Sequence, residues 1–164
     1  MERGDIKILE RVRDRQFVAT LKGHGRLIPD GTALVEVKGR RKVLFLELVN
    51  ETSIINPGAE ATRARSLAGK FERYRAFRDV RKRHDTWMQL EHGHGEIGGF
   101  QVLVVTTRRN AAYLLTAAEG ANTMFLFADL DELRACASVF DEPVWWLPRS
   151  AWRRGPERTA LIQH

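Results

Sequence analysis

Residues 43–49 read Val43-Leu44-Phe45-Leu46-Glu47-Leu48-Val49, a nearly continuous apolar run interrupted by one carboxylate. Its length and its branched and aromatic content predict a strand buried on both faces. Working back from it, Lys38-Gly39-Arg40-Arg41-Lys42 is a basic, glycine-containing turn, and Leu34, Val35 and Val37 precede it. The two apolar segments are therefore expected to form a β-hairpin. An acid inside such a strand is costly, because an unpaired buried charge costs roughly several kcal/mol. Glu47 needs a compensating partner.

Upstream, Ile28-Pro29-Asp30-Gly31 opens the first hairpin strand. Folding that strand back through Gly39 brings Asp30 and Glu47 to the same end of the hairpin. Pro-Asp-Gly is also a common turn triplet, so Asp30 gains its weight from this juxtaposition. Two neighbouring carboxylates raise each other's pKa unless a cation sits between them. Mg²⁺ (or Mn²⁺) suits such a pair, since hard cations take carboxylates, water and phosphate oxygens. The main-chain carbonyl of Leu48 is the expected third ligand.

Downstream, Asn56-Pro57-Gly58 breaks the chain, and residues 59–84 carry the clearest helical pattern. Leu67, Phe71, Tyr74 and Phe77 form one apolar stripe, which leaves Lys70 at its edge and Arg63 within it. Lys70 is thereby phased to reach over the sheet toward the two acids. A lysine beside a metal-bound carboxylate pair can orient a nucleophile or stabilise charge on a scissile phosphate. Asp30, Glu47 and Lys70 are the candidate catalytic residues.

The remaining elements predict an α/β chain with a mixed central sheet, a hairpin plus two later strands, flanked by helices. The later strands are Gln101 to Thr107 and Met124 to Phe127, with helices over Arg109 to Ala118 and Asp129 to Ala137. Residues 16–21 read as a strand followed by a Gly23-His24-Gly25 turn. Ile6, Leu9 and Val12 in Asp5 to Asp14 fit an amphipathic helix, and Asp85 to Gly99 reads as a loop or mobile flap. Residues 1–148 are expected to be a single domain and 149–164 a flexible basic tail.

Nine Lys and Arg side chains lie between Arg63 and Arg83 against two acids, within a chain of formal charge +6. A helix so loaded can track phosphates. Arg63, Arg73, Arg78, Arg81 and Lys82, with Arg40 and Arg41 at the hairpin tip, are the candidate DNA contacts. Of the paired Trp145 and Trp146, one is expected in the core and the other at an interface. Cys136, the single cysteine, is expected to be a buried structural thiol and excludes an internal disulfide. His92-Gly93-His94 lacks the further ligands of a zinc site. No apolar run is long enough for a membrane span, and a cytoplasmic protein without a small-molecule cofactor is expected.

In the order Ile28-Pro29-Asp30, Phe45-Leu46-Glu47-Leu48 with Thr52, and Lys70 with Tyr74, the chain resembles the replication-relaxation family of plasmid and mobile-element proteins. Phe125-Leu126-Phe127, Leu130-Asp131-Glu132-Leu133 and Pro143-Val144-Trp145-Trp146 are similar too. The resemblance implies a restriction-endonuclease-like core of the PD-(D/E)xK type. It also implies a metal-dependent DNA endonuclease or nicking enzyme, with Glu10, Thr52 and Tyr74 supporting the site. A homodimer would follow from cutting both strands. Family members tend to carry a preceding winged-helix domain, so this chain reads as a fragment or a minimal form. The general pattern has lysine two residues after the glutamate, where this chain has Val49, and Lys70 fits the variant that supplies it from the following helix. That leaves two alternatives beside the enzyme: a catalytically degenerate DNA-binding module, and a structural or dimerisation domain.

Overall fold

Alternation along the buried strand is what divides the molecule into two layers. In the computed structural model, which describes residues 6–13, 16–49, 67–106, 122–148 and 157–163, that strand is β5 (Arg40–Val49). Val43, Phe45 and Val49 belong to one hydrophobic cluster and Leu44 to another on the opposite face. Successive side chains of a strand point to opposite sides, so a strand covered on both must be apolar at almost every position.

β5 pairs antiparallel with β4 (Gly31–Val37), and Val37 faces Arg40 across a two-residue turn. Lys38 and Gly39 take φ values of 50° and 74° there. Positive φ at both central positions is the backbone of the turn whose twist matches a hairpin, and glycine adopts it without a Cβ clash. The expected hairpin is thus present, with its acids at the end remote from this turn.

Two further strands, β6 (Gly99–Thr106) and β7 (Phe125–Asp129), add in parallel to β5. β1 (Ile6–Val12) flanks β4, while β8 (Trp145–Trp146) and β9 (Arg158–Thr159) close the other edge antiparallel. The result is an α/β fold around a mixed seven-stranded sheet of order β1-β4-β5-β6-β7-β8-β9. A short hairpin of β2 (Ala19–Leu21) and β3 (Gly25–Leu27) stands apart from it.

One face carries α1 (Leu67–Val80) and α2 (Asp85–His94), joined by a 3-10 turn at Arg81–Arg83. Phe71, Tyr74 and Phe77 are fully buried, as the stripe predicts. Phe77 meets Phe17, Phe45, Trp87 and Phe100 within 6.1 Å between ring centroids, mostly edge to face. The other face buries Val35, Leu44, Leu103, Leu126, Trp145 and Leu161 beneath α3 (Leu130–Ala135) and the C-terminal segment. Asp129 caps α3 by accepting from the Asp131 and Glu132 amides at 2.9 and 3.2 Å, as expected for an N-cap.

Four expectations change. Residues 6–12 form a strand, not a helix, and the register slips between Ile8 and Glu10. That bulge moves Leu9 and Val12 to one core and Ile6 to the other, which breaks the period-two signal and mimics a helical one. The supposed flap at 85–99 contains α2, held by only two buried anchors, Trp87 and Leu90. Two anchors are too few for a visible period; packing on Phe77 and Phe100 supplies the rest. Within the expected tail, residues 157–163 dock on the sheet through β9 and a 3-10 turn at Leu161–Gln163. Cys136 is half-buried, its thiol donating to the Leu133 carbonyl at 3.2 Å. The expected helix at 109–118 lies outside the described residues, and no described helix is long and apolar enough to cross a membrane.

Candidate acid-lysine site

Asp30 sits one residue ahead of β4 and is stitched to β5 twice. Its amide donates to the Leu46 carbonyl at 3.0 Å, and its carboxylate accepts from the Leu48 amide at 2.9 Å. The two bonds bracket Glu47, so the first acid is held beside the second by backbone pairing. A strand residue presents its N–H and C=O to the same neighbour. The Leu48 carbonyl is therefore directed to the edge on which Asp30 lies.

Glu47 is 1% exposed and points toward α1. Its Oε1 accepts from the Tyr74 hydroxyl at 2.6 Å, and its Oε2 accepts from the Lys70 ammonium. Lys70 and Tyr74 are four residues apart, one helical turn, so both reach the same carboxylate. Lys70 Nζ also lies 3.8 Å from Asp30 Oδ2. The three residues named from the sequence thus converge, with one ammonium between two carboxylates.

Burial dominates the electrostatics. It pushes the Glu47 carboxyl up from an ordinary 4.5 to about 7, against the charge and hydrogen bond of Lys70 and the hydrogen bond of Tyr74; Asp30 adds to the rise. Burial and the neighbouring Glu47 together raise the Tyr74 phenol well above its usual value. Arg73 is buried too, which lowers its pKa, while Glu47 acts in the opposite direction. Of the basic residues expected on the outer face of α1, this one is turned inward.

The other expected residues divide. Thr52 and Arg63 lie outside the described residues. Glu10 sends its carboxylate to His94 Nε2 at 2.6 Å, not to Lys70, and so ties β1 to the end of α2. Arg40, Arg41, Arg78 and Arg81 gather at the hairpin-turn end of the sheet, where they line one cavity. Lys82 lies in the adjoining turn, 3.8 Å from Glu96. At about 3.3 Å per residue, the five steps from Lys42 to Glu47 put roughly 17 Å between the cationic cluster and the acids. Of the tryptophans, Trp145 is buried and donates to the Val139 carbonyl at 2.7 Å, whereas Trp146 is half-buried beneath Arg158, 4.0 Å above its ring.

The donor set fits a hard divalent ion. Two carboxylates that already share one cation, with a main-chain carbonyl at the same edge, are what Mg²⁺ takes from protein, the rest of its shell being water and phosphate oxygens. Among the described residues no three His, Cys, Asp or Glu side chains gather into a fuller cage. Sequence reasoning placed Lys42 only in the cationic hairpin tip and passed over Gln101, whose Oε1 accepts from the Lys42 ammonium at 3.2 Å. The only signal was a lysine directly abutting the apolar run.

Compared with protein families, curated proteins and solved structures, the chain matches none of them.

Proposed function

We propose that this chain is a metal-dependent phosphodiesterase acting on DNA, built on a restriction-endonuclease-like core and serving plasmid or mobile-element replication in the cytoplasm. The observation that carries the reading is the convergence of Asp30 and Glu47 on one Lys70 ammonium. Asp30, Glu47 and the Leu48 carbonyl would hold Mg²⁺ or Mn²⁺. A bound ion of this kind neutralises charge on a scissile phosphate and lowers the pKa of its water. Lys70 supplies a proton donor and positive charge beside the phosphate, and Tyr74 fixes one oxygen of the Glu47 carboxylate while the other meets Lys70. Duplex cutting would require two copies of the site, hence a homodimer; nicking would not.

One observation favours a second reading. Val49 is buried, 6% exposed, where the nuclease pattern has lysine, and the Lys70 ammonium occupies the position between the acids. A chain stabilised in this way without metal would be a DNA-binding module that has lost catalysis.

Incubation with supercoiled plasmid and Mg²⁺ or Mn²⁺ separates the two. The enzyme converts it to nicked or linear product, and Asp30→Ala and Lys70→Ala each abolish conversion. Cleavage that survives Asp30→Ala is contamination and ends the proposal. Retained DNA binding with no cleavage under either ion selects the binding module.

A further inference from the structure

At the opposite end of β5 from the acids, the starts of the parallel strands open into a cavity of about 870 Å³. Six cationic side chains line it, Lys38, Arg40, Arg41, Lys42, Arg78 and Arg81, and among the described residues no acid does. Arg41 is neutralised by Glu36 at 3.2 Å and Arg78 by Asp79 at 3.2 Å. Removing those two from six leaves Lys38, Arg40, Lys42 and Arg81 with no ion pair among the described residues.

Lys42 is also desolvated, and Arg81 has one buried guanidinium nitrogen. Among the described residues Lys42 Nζ donates only to neutral acceptors, Gln101 Oε1 at 3.2 Å and the Leu161 carbonyl at 3.3 Å. Burial lowers its pKa to about 8. Arg81 has a buried Nε with no hydrogen-bond partner, although its Nη1 is anchored on the Arg78 carbonyl at 2.7 Å. Cations held out of water without a counter-charge cost stability, and an anionic ligand would offset that cost. The volume suits a ligand of nucleotide size.

We propose that this cavity is a phosphoryl-binding site for a nucleotide-sized oligophosphate, with Lys42 and Arg81 as its principal contacts. It is separate from the acid-lysine site and does not depend on that site's activity. The oligophosphate could be a free nucleotide or the phosphates of a DNA strand held beyond the far end of α1. The chemistry is shared, and competition distinguishes the sources.

The test is calorimetric titration of the whole chain with pyrophosphate and with ATP in EDTA. Saturable binding is expected for both. Lys42→Met and Arg81→Gln should each weaken pyrophosphate by about ten-fold or more, the effect of losing one charge-assisted hydrogen bond. Lys42→Met replaces a desolvated cation by an apolar chain of similar length, so a melting curve at or above that of the parent is expected. Asp30→Asn should bind pyrophosphate like the parent. Displacement of pyrophosphate by a short duplex identifies a DNA strand as the source, and displacement by ATP but not by duplex identifies a free nucleotide. Absence of saturable binding to both probes, unchanged binding in both cavity variants, or loss of binding in Asp30→Asn overturns the proposal.

Discussion

Glu47 is where chemistry and stability meet in this chain, because its carboxyl is held at about 7 by burial. A carboxyl with a folded pKa above its unfolded value of 4.5 binds its proton more tightly in the native state. Its contribution is therefore fully present below pH 4.5 and is lost as pH rises to about 7. Urea unfolding of metal-free protein should show this as a loss on the order of 3 kcal/mol across that window. Glu47→Gln should flatten that part of the profile; an unchanged slope would mean that Glu47 is not the titrating group. Lys70→Met leaves the acid with Tyr74 alone. We expect it to cost about 2 kcal/mol at pH 8 and distinctly less at pH 5, where Glu47 is protonated, as read by the same unfolding curves. Equal losses at both pH values would show that Lys70 acts through packing alone.

At the scale of elements, α1 delivers Lys70 and Tyr74 only because Phe71 and Phe77 lock its rotation against the sheet. Phe77 is fully buried among the rings of Phe17, Phe45, His84, Trp87 and Phe100, and Phe77→Ala should cost roughly 3–5 kcal/mol of unfolding free energy. A cost near zero would contradict the packing described. α2 ends at Gly95, whose φ is 84° and whose position leaves 2.7 Å between an added Cβ and Arg41 Nη1. Gly95→Ala should lower the melting temperature, with a cost of about 1 kcal/mol or more from the left-handed backbone and the displaced guanidinium. Because Arg41 also donates to the His94 carbonyl, hydrogen exchange at the end of α2 should quicken in the same variant.

Across the molecule, α1 runs from the acids toward the cationic cluster. Eight residues separate Lys70 from Arg78, about 12 Å of helix at 1.5 Å per residue. A strand lying along that helix would meet the acid-lysine site at one end and Arg78, Arg81 and Lys82 at the other. If DNA binds in this way, affinity should fall steeply with salt. Arg78→Ala and Lys82→Ala should each reduce the slope of log K against log salt by about one phosphate contact. Salt-insensitive affinity, measured by fluorescence anisotropy, would rule out phosphate contacts as the basis of binding.

The sequence by itself determined the hairpin, the buried acid strand, the apolar stripe of α1 and the helical phase of Lys70. Each is local: the two-residue turn sets the strand register, and one helical turn relates Lys70 to Tyr74. Even the meeting of Asp30 with Glu47 follows from that register, since Asp30 lies just beyond the last hairpin pair, Gly31 with Leu46. Tertiary structure alone decided that residues 6–12 are a bulged edge strand, that 85–94 are helical and that 157–163 close the sheet. It also decided the inward turn of Arg73 and the cavity around Lys42. These depend on partners far apart in the chain, such as Glu10 with His94 at a separation of 84 residues and Lys42 with Leu161 at 119. No short window contains both members of such a pair, so their periodic and charge signals stay ambiguous until packing selects one answer.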